Sequence, residues 1–160
     1  MNQIQNGMPL NYLIDRLINI PQADIMITHN AVLHWIGKDP SNVYIVAPDK
    51  GAIGKAATVS KMFNCKGVIY AEKERDLATG KIIRTVVKDL PADIADARLL
   101  VVDDIGDGFG TFLPLAEELR KYNPTELNIY VTHGIFSRGE DILHPLYDNV
   151  WCSVDFRDYK

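Results

Sequence analysis

The chain has 160 residues, 47% of them hydrophobic, enough for a single compact domain with a sizeable core. Lysine plus arginine number 17 against 21 acids, a formal charge of −4 without any basic run, which argues against a nucleic-acid partner but leaves room for a local anion cleft. Cys65 and Cys152 show no zinc spacing, no apolar run reaches membrane-spanning length, and the start lacks a signal-peptide pattern, so a reduced, cytoplasmic protein without a membrane partner is expected.

In chain order, "PLNYLIDRLINI" (9–20) places Leu10, Leu13, Ile14, Leu17 and Ile18 on one helical face, with Pro9 in the first turn. "DIMIT" (24–28) reads as a short strand and "AVLHWIG" (31–37) as a helical turn. "VYIVA" (43–47), "GVIYA" (67–71), "LLVVD" (99–103) and "NIYVT" (128–132) are near-continuous apolar runs, the pattern of strands covered on both faces. Helical patterns lie between them at "GAIGKAATVSKMF" and "TFLPLAEELRKY". "EKERDLATGKIIRTVV" interrupts this rhythm as a charged loop leading into an alternating strand, a candidate hairpin or flap. The alternation predicts one α/β domain over 1–160, a mostly parallel sheet with helices on both faces.

Ligands of such sheets bind beyond the carboxyl ends of the strands, where "PDKGAIGKAA", "EKER", "DIGDGFGT" and "HGIFSRG" all fall. Asp103 and Asp104 end an apolar strand, where carboxylates are costly unless they meet solvent, a cation or hydroxyl donors. A sugar diol or hydrated magnesium would satisfy them. The loop 107–111, with Thr111 as N-cap, offers backbone N–H groups to a phosphate; the alternative is an ordinary strand-to-helix turn.

The segment "LLVVDDIGDGFGTF" (99–112) resembles the phosphoribosyl-diphosphate (PRPP) motif of type I phosphoribosyltransferases and ribose-phosphate diphosphokinases (PRPP synthetases): two acids, two apolar residues, then Asp-Thr-Gly-Gly-Thr. "VTHGIFSRG" (131–139) looks like the Thr-His-Gly and Phe-Ser-Gly neighbourhood of the synthetases. "APDKGAIGKAA" (47–57) is similar to their Ser-Pro-Asp-Ala-Gly-Gly turn, and "EKER" (72–75) to the basic start of their catalytic flexible loop. The order of these segments over about 43–143 matches the carboxy-terminal half of such an enzyme and implies a type I phosphoribosyltransferase-like fold.

The resemblance implies that Asp103 and Asp104 hold ribose hydroxyls and magnesium, while Asp107, Gly108, Gly110 and Thr111 cradle a 5′-phosphate. Asp49 matches a metal-associated aspartate; Lys50 departs from the family, which has alanine there, and adds a cation able to meet a diphosphate. Lys73 and Arg75 match the catalytic pair that stabilises charge on the transferred diphosphoryl group; the plainer reading of both is a solvated charged loop. "THNAVL" is similar to a Pro-His-Ser-Asp-Val segment, which makes His29 an ATP or magnesium contact, against the alternative of a half-buried histidine at a strand end.

The implied activity is transfer of diphosphate from ATP to ribose 5-phosphate, or a related phosphorylated ribose, with Mg2+ as cofactor. A stand-alone phosphoribosyltransferase using PRPP on a nucleobase, and a non-catalytic nucleotide- or PRPP-binding module, are the alternatives. The match to half an enzyme implies a homo-oligomer or association with a missing amino-terminal domain. Gly108 and Phe109 stand where the family has threonine and glycine. Phe109 is expected either to obstruct the cradle or to be forced into a left-handed backbone.

Overall fold

The computed structural model describes residues 4–5, 8–9, 20–75 and 82–159. At its centre is β6 (Arg98–Gly106), whose Leu99 and Val101 enter one core while Leu100 and Val102 enter another, all four fully buried. Successive strand side chains point to opposite faces, so an unbroken apolar run requires cover on both. Around it lies a six-stranded sheet in the order β5 (Ile82–Lys88), β4 (Gly67–Arg75), β3 (Val43–Ala47), β6, β7 (Glu126–Gly134), β8 (Asn149–Asp155). β4 and β5 pair antiparallel and the other neighbours are parallel. One face is covered by α1 (Gln22–Met26), α2 (Asn30–Lys38) and α3 (Ile53–Met62), through residues such as Met26, Trp35 and Val59. The other is covered by α4 (Phe112–Arg120), through Phe112, Leu115, Ala116 and Leu119. A two-stranded ladder, β1 (Ile4–Gln5) with β2 (Met8–Pro9), is separate from the sheet. Among the described residues no helix is long and apolar enough to cross a membrane.

The mostly parallel α/β sheet and the strands at 43–47, 67–71, 99–103 and 128–132 agree with the sequence reading. "DIMIT" does not: Asp24, Ile25 and Met26 belong to α1, Ile27 is its C-cap and Thr28 lies in the turn that follows. Pro21 starts that helix, its carbonyl accepting from Asp24 N–H at 3.0 Å, and helical spacing buries Ala23 and Met26 while Ile27 stays exposed. The charged "EKER" is not a loop but the outer half of β4, which pairs through Arg75 with β5 as a hairpin. Edge pairing tolerates polar residues there. Of the helix expected over 9–20, residues 10–19 lie outside the described residues and Pro9 is in β2. β8 was not foreseen, because its half-buried edge residues form no apolar run. Cys65 and Cys152 are free thiols, and burial pushes each up to about 11.

Parallel registration aligns the strand ends that matter. Asp103 pairs with Val131, and Gly106 with Gly134, so the loops leaving β6 and β7 emerge side by side.

Candidate active site

Asp49, just beyond β3, caps a short 3-10 turn over Lys50–Ala52, its Oδ1 accepting from Ala52 N–H at 3.2 Å. Lys73 Nζ on the neighbouring β4 donates to Asp49 Oδ2 at 3.0 Å. Burial opposes ionisation of Asp49, but the Lys73 ammonium and the backbone N–H groups of Ala52 and Gly51 outweigh it and hold the carboxyl below its ordinary value. Alongside, Lys50 pairs with Glu72 at 3.1 Å, and Lys55 of α3 pairs with Asp104. Asp103 has no lysine partner among the described residues. Its Oδ1 accepts from Asp104 N–H at 2.9 Å. Burial, reinforced by the charges of Asp49 and Asp104, raises its pKa despite that N–H and the more distant Lys55.

The loop after β6 answers the question raised by Phe109. Its backbone is left-handed, with φ 55°, and its ring is only 2% exposed. The ring packs into the core below the loop, 5.7 Å from Phe112 and 5.3 Å from Phe136 between centroids. With the ring turned inward, an open depression of about 540 Å³ lies over the loop, lined by Asp107, Gly108, Phe109, Gly110 and Thr111 among others. A Cβ on Gly110 would meet nothing within 4 Å. Thr111 is at the N-cap position of α4, but its side chain makes no capping bond. The buried Tyr147 hydroxyl fixes the first turn, donating to Phe112 O at 2.9 Å. N–H groups at this helix start have the polarity an anion needs.

Two structural partners of the acid pair escaped the sequence reading. Gln22 of α1, 9% exposed, donates from Nε2 to the carbonyl of Asp103 and to Thr132 Oγ1 at 3.1 Å, tying β6 to β7 where the acids begin. Its Oε1 is buried and unpartnered among the described residues. No local motif announces this contact, which spans 81 residues to Asp103. Lys55 carried a usable signal: a cation in the first turn of a helix opposes the macrodipole and calls for an acid nearby. Gln22, Lys55, Thr58, Asp104, Ile105 and Thr132 line part of a cleft of about 490 Å³ beside the acid pair.

His29 stands at the N-cap of α2, not at a strand end. Its Nδ1 accepts from Val32 N–H at 3.4 Å, and its ring meets Tyr130 edge-on at 6.0 Å. Arg75 ends β4, and its side chain lies outside the described residues. Among the described residues no three His, Cys, Asp or Glu side chains converge to enclose a metal. The oxygen donors of Asp103 and Asp104 nonetheless suit magnesium, which commonly takes one or two carboxylates and completes its shell with water and substrate phosphates.

A family model described as phosphoribosyl transferase domain matches residues 15–159. The ribose-phosphate pyrophosphokinase of Mycoplasmopsis pulmonis is 33% identical over 152 residues, 94% of this chain and 46% of that protein. That of Agrobacterium fabrum is 34% identical over 101 residues, 63% of this chain and 31% of that one. The chain thus spans less than half the length of these curated relatives. The adenine phosphoribosyltransferase (APRTase) of Giardia lamblia, solved with 9-deazaadenine, superposes with a TM-score of 0.60 at 15% identity, covering 83% of this chain and 80% of that one. For the phosphoribosylpyrophosphate synthetase of Mycobacterium smegmatis the TM-score is 0.51 at 20% identity, covering 66% of this chain and 32% of that one. These structural likenesses carry the fold.

Proposed function

The chain belongs to the phosphoribosyl transferase domain family, and from that premise we propose that it binds ribose 5-phosphate, or a related phosphorylated ribose, and transfers diphosphate to it from ATP. The supporting observation is the acid pair Asp103–Asp104 at the end of β6, beside a cradle left open because Phe109 turns inward. Asp103 and Asp104 accept hydrogen bonds from the ribose diol and fix the sugar, while the N–H groups over 107–111 hold its 5′-phosphate. The sugar 1-hydroxyl then attacks the β-phosphorus of ATP; its new O–P bond replaces the bond to the oxygen that bridges the α- and β-phosphorus, AMP leaves with that oxygen, and the hydroxyl proton passes to solvent.

Charge builds on the diphosphoryl oxygens in this transfer, so fixed cations serve it better than any covalent chemistry. Lys73, oriented by Asp49, and Lys50 at the adjacent turn face that task, with Arg75 next on the same strand. Mg2+, held by Asp103 and Asp104, with Asp49 and His29 as further candidates, would neutralise phosphate charge when bound. The remaining ATP contacts come from a second copy or from an amino-terminal domain.

The experiment is incubation of the full chain, alone and with such a partner domain, with ATP, Mg2+ and ribose 5-phosphate, following AMP release. AMP formation that depends on ribose 5-phosphate supports the reading, and its absence at high protein concentration in both arrangements overturns it. Consumption of PRPP with a nucleobase would assign the phosphoribosyltransferase reaction instead. Ligand binding without turnover would assign a binding module.

A further inference from the structure

The cations whose side chains are described around the cleft fall into two classes. Lys50, Lys55 and Lys73 each hold a carboxylate. Arg138, in the loop after β7, makes no hydrogen bond or ion pair among the described residues and is solvent-exposed. Its stem lies beside the cradle loop at Gly108: Arg138 Cδ is 3.6 Å from where a Cβ on Gly108 would be, and Ser137 Oγ is 3.9 Å from it. A Cβ at position 108 would sit in van der Waals contact with that stem.

The Arg138 loop is fastened to the cradle loop. Gly106 O accepts from Ile135 N–H at 2.7 Å and Phe136 N–H at 3.2 Å, and Asp107 Oδ1 accepts from Ser137 N–H at 3.4 Å. Phe136, with φ 52°, turns its ring inward onto Phe109, and its own carbonyl accepts from Gly139 N–H at 2.9 Å. The Arg157 guanidinium lies against the Phe136 ring, 4.2 Å from its centroid, and is itself held by Asp155 and Glu140. Backbone bonds and two buried rings thereby keep the Arg138 loop, with its unpaired arginine, beside the loop 107–111.

We infer that Arg138 is a phosphate-binding residue of this site: a guanidinium from outside the cradle loop that takes two oxygens of a phosphate monoester seated on 107–111. The inference rests on the reading that this loop receives the sugar phosphate. The planar fork of arginine matches two phosphate oxygens, and the ligand gains a charge-assisted pair that neutral loop N–H groups cannot supply. Gly108, next to the arginine stem, has no side chain to offer the phosphate.

Calorimetric titration of the full chain with ribose 5-phosphate, ribose and inorganic phosphate, with Mg2+ present, tests this. Arg138→Gln is expected to weaken ribose 5-phosphate and inorganic phosphate about 10- to 100-fold, the range for losing a charged hydrogen-bonding partner, while Arg138→Lys recovers part of the loss. Thermal unfolding of both variants should match the parent, because the side chain is exposed. Asp104→Asn should weaken ribose 5-phosphate but leave inorganic phosphate unchanged. Parent binding of ribose 5-phosphate with Arg138→Gln within twofold of it overturns the role of Arg138 and leaves the cradle reading standing. Failure of the parent to bind ribose 5-phosphate more tightly than ribose overturns both.

Discussion

The rings of Phe109 and Phe136 meet with centroids 5.3 Å apart, each carried on a left-handed backbone, and each passes close to the glycine that ends its strand. A Cβ on Gly106 would lie 2.8 Å from Phe109 Cε1, and one on Gly134 would fall into the Phe136 ring. Those glycines are register partners across β6 and β7. The strand ends are therefore shaped for two rings that join the cradle to its neighbouring loop.

This arrangement sets the order of stability for substitutions at Phe109. Removing a buried phenylalanine ring costs about 3–5 kcal/mol. Glycine recovers roughly 1–2 kcal/mol of left-handed strain, whereas alanine recovers none. We expect Phe109→Gly to lose about 2–4 kcal/mol and Phe109→Ala more, read from urea denaturation midpoints. Equal losses would show that the backbone at 109 carries no strain.

The Lys55–Asp104 pair is about half exposed on both sides, 44% and 46%. Exposed pairs contribute about 0–1 kcal/mol, so Lys55→Met should unfold close to the parent. Ligand binding should respond more strongly, because Asp104 is then free of its internal cation. We expect Lys55→Met to bind Mg2+ more tightly than the parent, and Asp104→Asn to lose Mg2+-dependent ribose 5-phosphate binding by about tenfold or more. Titrations with and without Mg2+ measure both.

Asp103 gives a pH signature. Its folded pKa is raised above 3.8, first by burial and then by the charges of Asp49 and Asp104. A raised folded pKa means the native state holds the proton more tightly than the unfolded chain, so this stability is present in acid and lost as pH rises through the folded value. Asp103→Asn keeps an oxygen for Asp104 N–H and removes the buried charge. It should melt higher than the parent at pH 7, with the advantage fading below pH 3.8, while losing ligand affinity. In the parent, Mg2+-dependent binding should weaken on acidification at a higher pH than an ordinary aspartate would give.

The sheet was legible because β3, β6 and β7 are buried on both faces, a condition only an apolar run satisfies. The acid pair was legible because two carboxylates interrupt such a run. α1 was not, since five residues contain too little periodicity to separate helix from strand, and only Pro21 marked its start. β4 beyond Ala71 reads as charged because its partner is the edge strand β5. Phe109 among the glycines left two outcomes open, an obstructed cradle or a left-handed backbone; the second holds, and what sequence could not supply was the inward direction of the ring, which depends on the distant Phe136. Gln22 reaches Asp103 from α1 by a contact that no local pattern encodes, whereas Lys55, a cation in the first turn of α3, signalled only that some acid lies nearby.

Lys73 separates stability from chemistry. Its side chain is 14% exposed and holds Asp49, whose folded pKa is depressed; that depression stabilises the fold above pH 3.8 and is lost as pH falls through the folded value. In Lys73→Met the burial of Asp49 acts with only backbone N–H groups against it, so the variant should be less stable than the parent at pH 7 and approach it in acid. In the proposed diphosphate transfer, Lys73 acts on charge that develops in the transition state, so its loss should lower kcat by roughly 10²–10³ while changing the KM for ribose 5-phosphate little. Arginine at 73 restores the charge and the contact to Asp49, and should recover stability more fully than kcat, because its fork places the charge differently. Steady-state kinetics at pH 7 beside melting curves at pH 7 and well below pH 3.8 read the two effects apart. An unchanged kcat in a folded Lys73→Met protein would remove Lys73 from the catalytic assignment and leave it as the partner of Asp49.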